Sequence, residues 1–151
     1  MSFDKDAFEE QVISDMREHE GVISSGPMAG TRLLVLTTTG ARTGERRRAL
    51  LFFSRDGADY VIAGTASGAT RDPAWLHNLR ANPAASVEVD GRQFEAAAAI
   101  AEGAERDRLW QQHLAVQPQL AAHAEQAGRV IPMVRLTPPN GHGGAGSASS
   151  R

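Results

Sequence analysis

Four arginines, Arg42, Arg46, Arg47 and Arg48, fall within seven residues, directly after the run Thr37-Thr38-Thr39-Gly40-Ala41. A guanidinium offers a planar fork of donors that grips phosphate or carboxylate through two bonds, which an ammonium cannot do. Lys5 is the only lysine of the chain, so its local basic chemistry is arginine chemistry. Gly40 and Gly44 let the backbone approach a ligand, and the hydroxyls of Thr37, Thr38, Thr39 and Thr43 can donate to it. No Gly-x-x-x-x-Gly-Lys-Ser/Thr is present, so this is not a nucleotide P-loop. Along a strand Arg47 points opposite to Arg46 and Arg48, so the three cannot serve one ligand through one face. A solvated strand edge and an anion site both remain open on these residues. Nucleic acid is disfavoured: aromatics are 5% of the chain, and its net charge is −2 at a pI near 6.2.

A second polar stretch, Gly64-Thr65-Ala66-Ser67-Gly68-Ala69-Thr70-Arg71, runs into Asp72-Pro73. Small residues at a strand end permit close contact with a flat ligand, and an ordinary loop explains them equally well. In the helix that follows, Trp75 and Leu79 share a face and Asn78 lies one turn along. Core packing is the competing reading for Trp75. The five histidines, His19, His77, His113, His123 and His142, show no metal-ligand spacing, and there is neither a His-Glu-x-x-His nor a Gly-x-Ser-x-Gly. Cysteine is absent, which removes disulfides, thiolate nucleophiles and Cys-ligated metals together. No hydrolytic machinery is visible.

The elements that must position these groups are short. The 151 residues, 41% hydrophobic and 23% charged, fit one globular domain over residues 1–137, with a disordered Pro/Gly/Ser-rich tail over 138–151. Phe8, Val12, Ile13 and Met16 recur at helical spacing between an Asp4 cap and a Gly21 stop. This amphipathic helix either packs on its own domain or touches a membrane or partner. No targeting signal and no ~18-residue apolar run stands out, so a cytoplasmic location is expected. Strands are expected at Arg32–Thr38, Arg46–Ser54, Tyr60–Thr65, Ser86–Val89, Arg92–Ile100 and Ile131–Thr137, with Asp56-Gly57 and Asp90-Gly91 as turns. Helices are expected from Asp72-Pro73, with Asp72 as cap, to Asn82-Pro83, then over Glu105–Val116, and again from Pro118. The strands do not alternate with helices as βαβ units, and no Gly-x-Gly-x-x-Gly follows one. The expected fold is mainly β (α+β): a small antiparallel barrel of about six strands with flanking helices.

Taken together, these pieces resemble the deazaflavin (coenzyme F420)-dependent nitroreductase family. The matching residues are Leu34-Val35-Leu36-Thr37-Thr38-Thr39-Gly40-Ala41-Arg42-Thr43-Gly44, then Arg47, then Asp72-Pro73-Ala74-Trp75-Leu76-His77-Asn78-Leu79-Arg80-Ala81-Asn82-Pro83, and Arg129-Val130-Ile131-Pro132-Met133-Val134. The resemblance spans roughly residues 4–137 and implies a split β-barrel that carries out flavin-like hydride transfer. It implies that Thr38, Thr39, Gly40, Arg42, Thr43, Gly44 and Arg47 hold the anionic arm of the cofactor. Thr65, Ala66, Ser67, Gly68, Trp75 and Asn78 would then border its ring system. The family often carries a further basic residue where this chain has Ala41.

Family members active on nitroaromatics commonly show a Tyr-Pro-x-Tyr-x-x-Tyr pattern where this chain reads Gln117-Pro118-Gln119-Leu120-Ala121-Ala122-His123. The acceptor pocket is therefore expected at Gln117, Leu120 and His123. His123 stands at one of the tyrosine positions as a candidate proton donor. The implied activity is transfer of a hydride from reduced coenzyme F420 to an electron-poor acceptor, a quinone, an enone or, with less support, a nitroaromatic. Two other readings stay open: an FMN-binding split-barrel oxidoreductase, and a protein that binds a cofactor or lipophilic ligand without turnover. No metal and no nucleic acid enter any of them, and a homodimer could complete the cleft.

Overall fold

A computed structural model describes residues 4–65 and 71–139. Asp4 opens the first helix, α1 (Lys5–Glu18), by accepting a hydrogen bond from the amide of Ala7 at 3.0 Å. Past its end the Gly21 amide reaches back to the Met16 carbonyl, and Gly21 takes φ +92°, a conformation that costs glycine nothing. The elements that follow are β1 (Leu34–Thr39), β2 (Arg46–Leu51), β3 (Ser54–Asp56), β4 (Asp59–Ala63), α2 (Ala74–Ala81), β5 (Ala84–Val89), β6 (Arg92–Ile100), α3 (Gly103–Val116), α4 (Leu120–Ala127) and β7 (Met133–Thr137).

All seven strands pair antiparallel in one sheet of order β2-β1-β5-β6-β7-β4-β3. Its two edges, β2 and β3, are joined by Phe52 and Phe53 alone, and so short a link spans no more than about 11 Å. The sheet must therefore curl until its edges meet, although no ladder closes them. This is the split barrel, with one correction: the single strand expected over Arg46–Ser54 is broken at Phe52-Phe53, giving seven strands rather than six. Other boundaries shift by one to three residues, with Arg32 in an isolated bridge to Val22. The alanines of β6 adopt the strand because the ladders to β5 and β7 override helix propensity.

Strand alternation sorts the apolar residues into three layers. Leu34, Leu36, Tyr60, Ile62, Val87, Val134 and Leu136 fill the barrel, with Trp75, Leu76 and Leu79 of α2 as its plug. Val61, Ala63 and Met133 point outward beneath α3 and α4. Leu33 and Val35 point outward beneath α1, against Ile13 and Met16. Thus α1 packs on its own domain. Buried on both faces, Leu33–Leu36 and Tyr60–Ala63 read as continuous apolar runs. Among the described residues no helix is long and apolar enough to cross a membrane. Of the expected tail only Pro138 and Pro139 fall within the described residues.

Candidate functional site

Between β1 and β2 the chain turns tightly at Gly40–Glu45. The Gly40 amide donates to the Glu45 carbonyl at 2.7 Å and the Gly44 amide to the Gly40 carbonyl at 3.0 Å. Gly44 sits at φ +75°. A Cβ at Gly40 would stand 2.9 Å from Thr43 Oγ1 and 3.2 Å from the Glu45 carbonyl oxygen. Asn78 of α2 ties this turn down: its Nδ2 donates to Thr38 Oγ1 at 3.0 Å, and its Oδ1 accepts from the Ala41 amide at 2.9 Å. Asn78 is buried, so both ends of its amide are satisfied within the protein.

Above the turn lies an open cavity of about 790 Å³, bounded by Gly40, Ala41, Arg42, Thr43, Arg47, Arg48, Ala49, Ala74, Trp75, His77, Asn78 and Lys5. Its cations are unequally committed. Arg42 is exposed and has no partner among the described residues. Arg47 meets only the exposed Glu45, at 3.1 Å. Arg48 is held by Glu9 and Glu10 of α1 at 3.2 and 2.9 Å, while Arg46 turns away to Thr39 Oγ1 and Ser86 Oγ. Arg46 is thus turned aside, whereas Arg47 and Arg48 both border the cavity, so the opposite directions expected of them do not keep them apart there.

Several expected contacts have other roles. Thr38 is fully buried and its hydroxyl serves Asn78, so it cannot reach a ligand. The Thr39 hydroxyl accepts from Arg46, and the Thr43 hydroxyl from the Glu45 amide at 3.1 Å. Gly44 shapes the turn without bordering the cavity. Asp72 is not the cap of α2, a position that Pro73 takes without a side-chain bond. Its carboxylate instead receives Arg80 at 2.9 Å and Arg129 at 2.8 Å. Arg129 also donates to the carbonyls of Gly64 and Arg71, fixing the two flanks of the second polar stretch. Ala66, Ser67 and Gly68 lie outside the described residues.

A second, smaller cavity of about 180 Å³ shares Trp75 with the first. Leu50, Leu51, Phe52, Ala63, Thr65, Leu120, His113 and His123 complete its lining. His123 and Leu120 are where the sequence places the acceptor, and Nδ1 of His123 is buried with no hydrogen-bond partner among the described residues. Gln117 does not reach this cavity: it closes α3, and its side-chain oxygen accepts from Gln119 at 2.6 Å. Tyr60, the single tyrosine, is 1% exposed in the barrel core between Phe53 and Phe94. His113 was not among the expected site residues. It is 1% exposed, its Nδ1 lies 2.8 Å from Ser54 Oγ, and burial pushes its pKa down to about 4. It shares the buried face of α3 with Leu109, four residues earlier.

A cation pair over a tight turn, an indole wall and an adjoining apolar cavity suit a ligand with an anionic arm and a flat head. The profile of a family described as F420H(2)-dependent quinone reductase matches residues 10–138, nearly the whole described chain. The chain belongs to the F420H(2)-dependent quinone reductase family. An F420H(2)-dependent quinone reductase of Mycobacterium tuberculosis is 43% identical over 61 residues, which are 40% of this chain and 41% of that relative. The aligned stretch thus spans about two fifths of the curated relative it matches. A solved F420-H2 dependent reductase (FDR-A) superposes with a TM-score of 0.64 at 28% identity, covering 69% of this chain and 92% of its own. A solved domain-swapped dimer gives 0.66 at 25% identity, covering 87% and 97%. Both are consistent with the split barrel described above.

The residues present fit the family's cofactor. Coenzyme F420 has a flat deazaflavin head and an anionic arm, and the large cavity offers Trp75 and small alanines for the one and free guanidinium donors for the other.

Proposed function

We propose that this protein reduces an electron-poor acceptor, a quinone before all others, with a hydride from reduced coenzyme F420. The observation that carries the reading is the uncommitted Arg42 beside Arg47, facing a cavity whose Trp75 wall also borders the His123 cavity. Arg42 and Arg47 hold the anionic arm, and Gly40 and the Asn78-clamped turn keep those donors in place. Trp75 and Ala74 confine the flat head. When bound, the reduced cofactor supplies a hydride, that is, two electrons with one proton. The acceptor then needs one further proton at oxygen to become the hydroquinone. His123 delivers that proton from a nitrogen that has no partner among the described residues. Enones fit the same balance. Nitro compounds are the weaker class, because the one tyrosine lies in the core. The reading goes with a reducing, cytoplasmic setting and with a homodimer, which light scattering would check.

A titration of the purified protein with coenzyme F420 and with FMN tests the reading. Binding of the deazaflavin, weakened roughly 10- to 150-fold in Arg42→Ala by loss of a charge-assisted contact of about 1.5–3 kcal/mol, is the expected result. Tight FMN binding with none for the deazaflavin would overturn it. For His123→Ala, quinone turnover should fall about 100-fold or more at unchanged deazaflavin affinity. Unchanged turnover and pH profile would remove His123 from the mechanism.

A further inference from the structure

The smaller cavity is largely apolar, its polar lining being Thr65 and two imidazoles, and each imidazole brings a nitrogen without a partner among the described residues. For His123 that nitrogen is Nδ1. For His113 it follows from Ser54. The Ser54 hydroxyl is buried and, among the described residues, bonds only Nδ1 of His113. Were Nδ1–H the donor, the hydroxyl proton would be left buried without an acceptor, at a cost of about 1–3 kcal/mol. Ser54 therefore donates to Nδ1, and the neutral ring carries its proton on Nε2, which has no partner among the described residues. The register of this pair is fixed from outside. Five residues before His113 on α3, Arg108 bonds both Asp56 oxygens at 3.1 and 3.2 Å, and Arg135 of β7 bonds Asp56, Asp59 and Glu105 at 2.8, 2.8 and 2.9 Å. These pairs hold α3 on β3, and with it His113 beside Ser54.

Two histidines that line one small, largely apolar void, each with an imidazole nitrogen unpartnered among the described residues, call for a ligand with two polar ends. We propose that His113 and His123 grip the two carbonyl oxygens of a quinone head, His113 as a fixed N–H donor and His123 as the donor that gives its proton up. This deepens the functional reading above and rests on it. A quinone accepts at both oxygens and can donate at neither, so only donors satisfy it. A one-carbonyl enone would leave one imidazole unpaired in an apolar cavity, and the cavity thereby selects against it. The volume of about 180 Å³ lies below the ~300 Å³ at which drug-sized pockets begin, so a single substituted ring is the head that fits.

The test compares duroquinone, whose ring has no free position for side reactions, with 3,5,5-trimethylcyclohex-2-enone, which carries one carbonyl on a ring of similar size. In the wild type, the ratio of kcat/KM for duroquinone over the enone should be at least tenfold higher than in Ser54→Ala/His113→Leu. The change should appear mainly as a raised duroquinone KM, with deazaflavin Kd unmoved. Ser54→Ala alone, the milder variant, should lower the ratio severalfold. Separately, ¹⁵N-histidine spectra of the protein without cofactor should show the His113 Nε2 resonance moving as duroquinone is added. An unchanged ratio in both variants, or a His113 resonance that stays put while duroquinone binds, overturns the grip and leaves the quinone reading standing. A wild type that binds deazaflavin yet neither binds nor reduces duroquinone overturns both.

Discussion

Burial keeps the His113 imidazole neutral to about pH 4, and this marks the acid side of the stability curve. The unfolded chain takes up a proton near the ordinary value of 6.5, whereas the folded chain refuses it until about 4. Stability is therefore full above 6.5, falls as pH drops between these values, and levels off below; the loss is on the order of 3 kcal/mol. Asp56 acts in a lower window. Hydrogen bonds from Arg108 and Arg135 hold its carboxyl at about 2, so its contribution is complete above 3.8 and lost as pH falls toward 2. Urea midpoints at pH 7 and 4.5 should diverge in the wild type and converge in Ser54→Ala/His113→Leu; equal slopes would contradict the buried-histidine account. The sequence could not disclose this pair. Ser54 and His113 are 59 residues apart, and nothing local in either distinguishes a core histidine from a surface one.

At the scale of elements, the β1–β2 turn is the segment that we propose holds the cofactor's anionic arm. Thr37–Gly44 stood out in the sequence because glycine, threonine and arginine types are legible without a structure. Which hydroxyl faces outward was not legible, since that depends on α2 arriving above the turn with Asn78 aimed downward. The expected ligand contacts Thr38 and Asn78 thereby become the foundation of the turn. Asn78→Ala should leave the buried Thr38 hydroxyl and the Ala41 amide short of partners, lowering stability by about 1–3 kcal/mol and cofactor affinity with it. Gly40→Ala is expected to behave differently. Its Cβ would press on Thr43 Oγ1 and the Glu45 carbonyl, displacing Arg42 and Thr43 while the core keeps its packing. Calorimetry should show a small change in Tm beside a clear rise in deazaflavin Kd. A large Tm loss with unchanged Kd would refute this division.

At the scale of the molecule, α1 is both a wall of the site and a brake on its charge. The sequence showed the helix and its acids, yet not their target. That pairing is set by the barrel's curl, which brings Arg48 under Glu9 and Glu10. Replacing both glutamates by alanine should loosen α1 by about 1–2 kcal/mol and free Lys5 and Arg48 as further cations at the cavity. Deazaflavin should then bind severalfold more tightly, and with a steeper salt dependence. Weaker binding in that variant would show that α1 shapes the site rather than restrains its charge.

The barrel, its antiparallel ladders and its order of elements were readable because turn signals and apolar alternation are local. The break at Phe52-Phe53 was not, since it arises where the edges of a curled sheet must meet. Trp75 stands at the seam of this arrangement, one indole bordering two voids. Any replacement there reshapes both ligands' surroundings at once, so a lost rate in a Trp75 variant cannot be credited to either ligand. Only separate equilibrium titrations, each repeated with the other void filled, would apportion it.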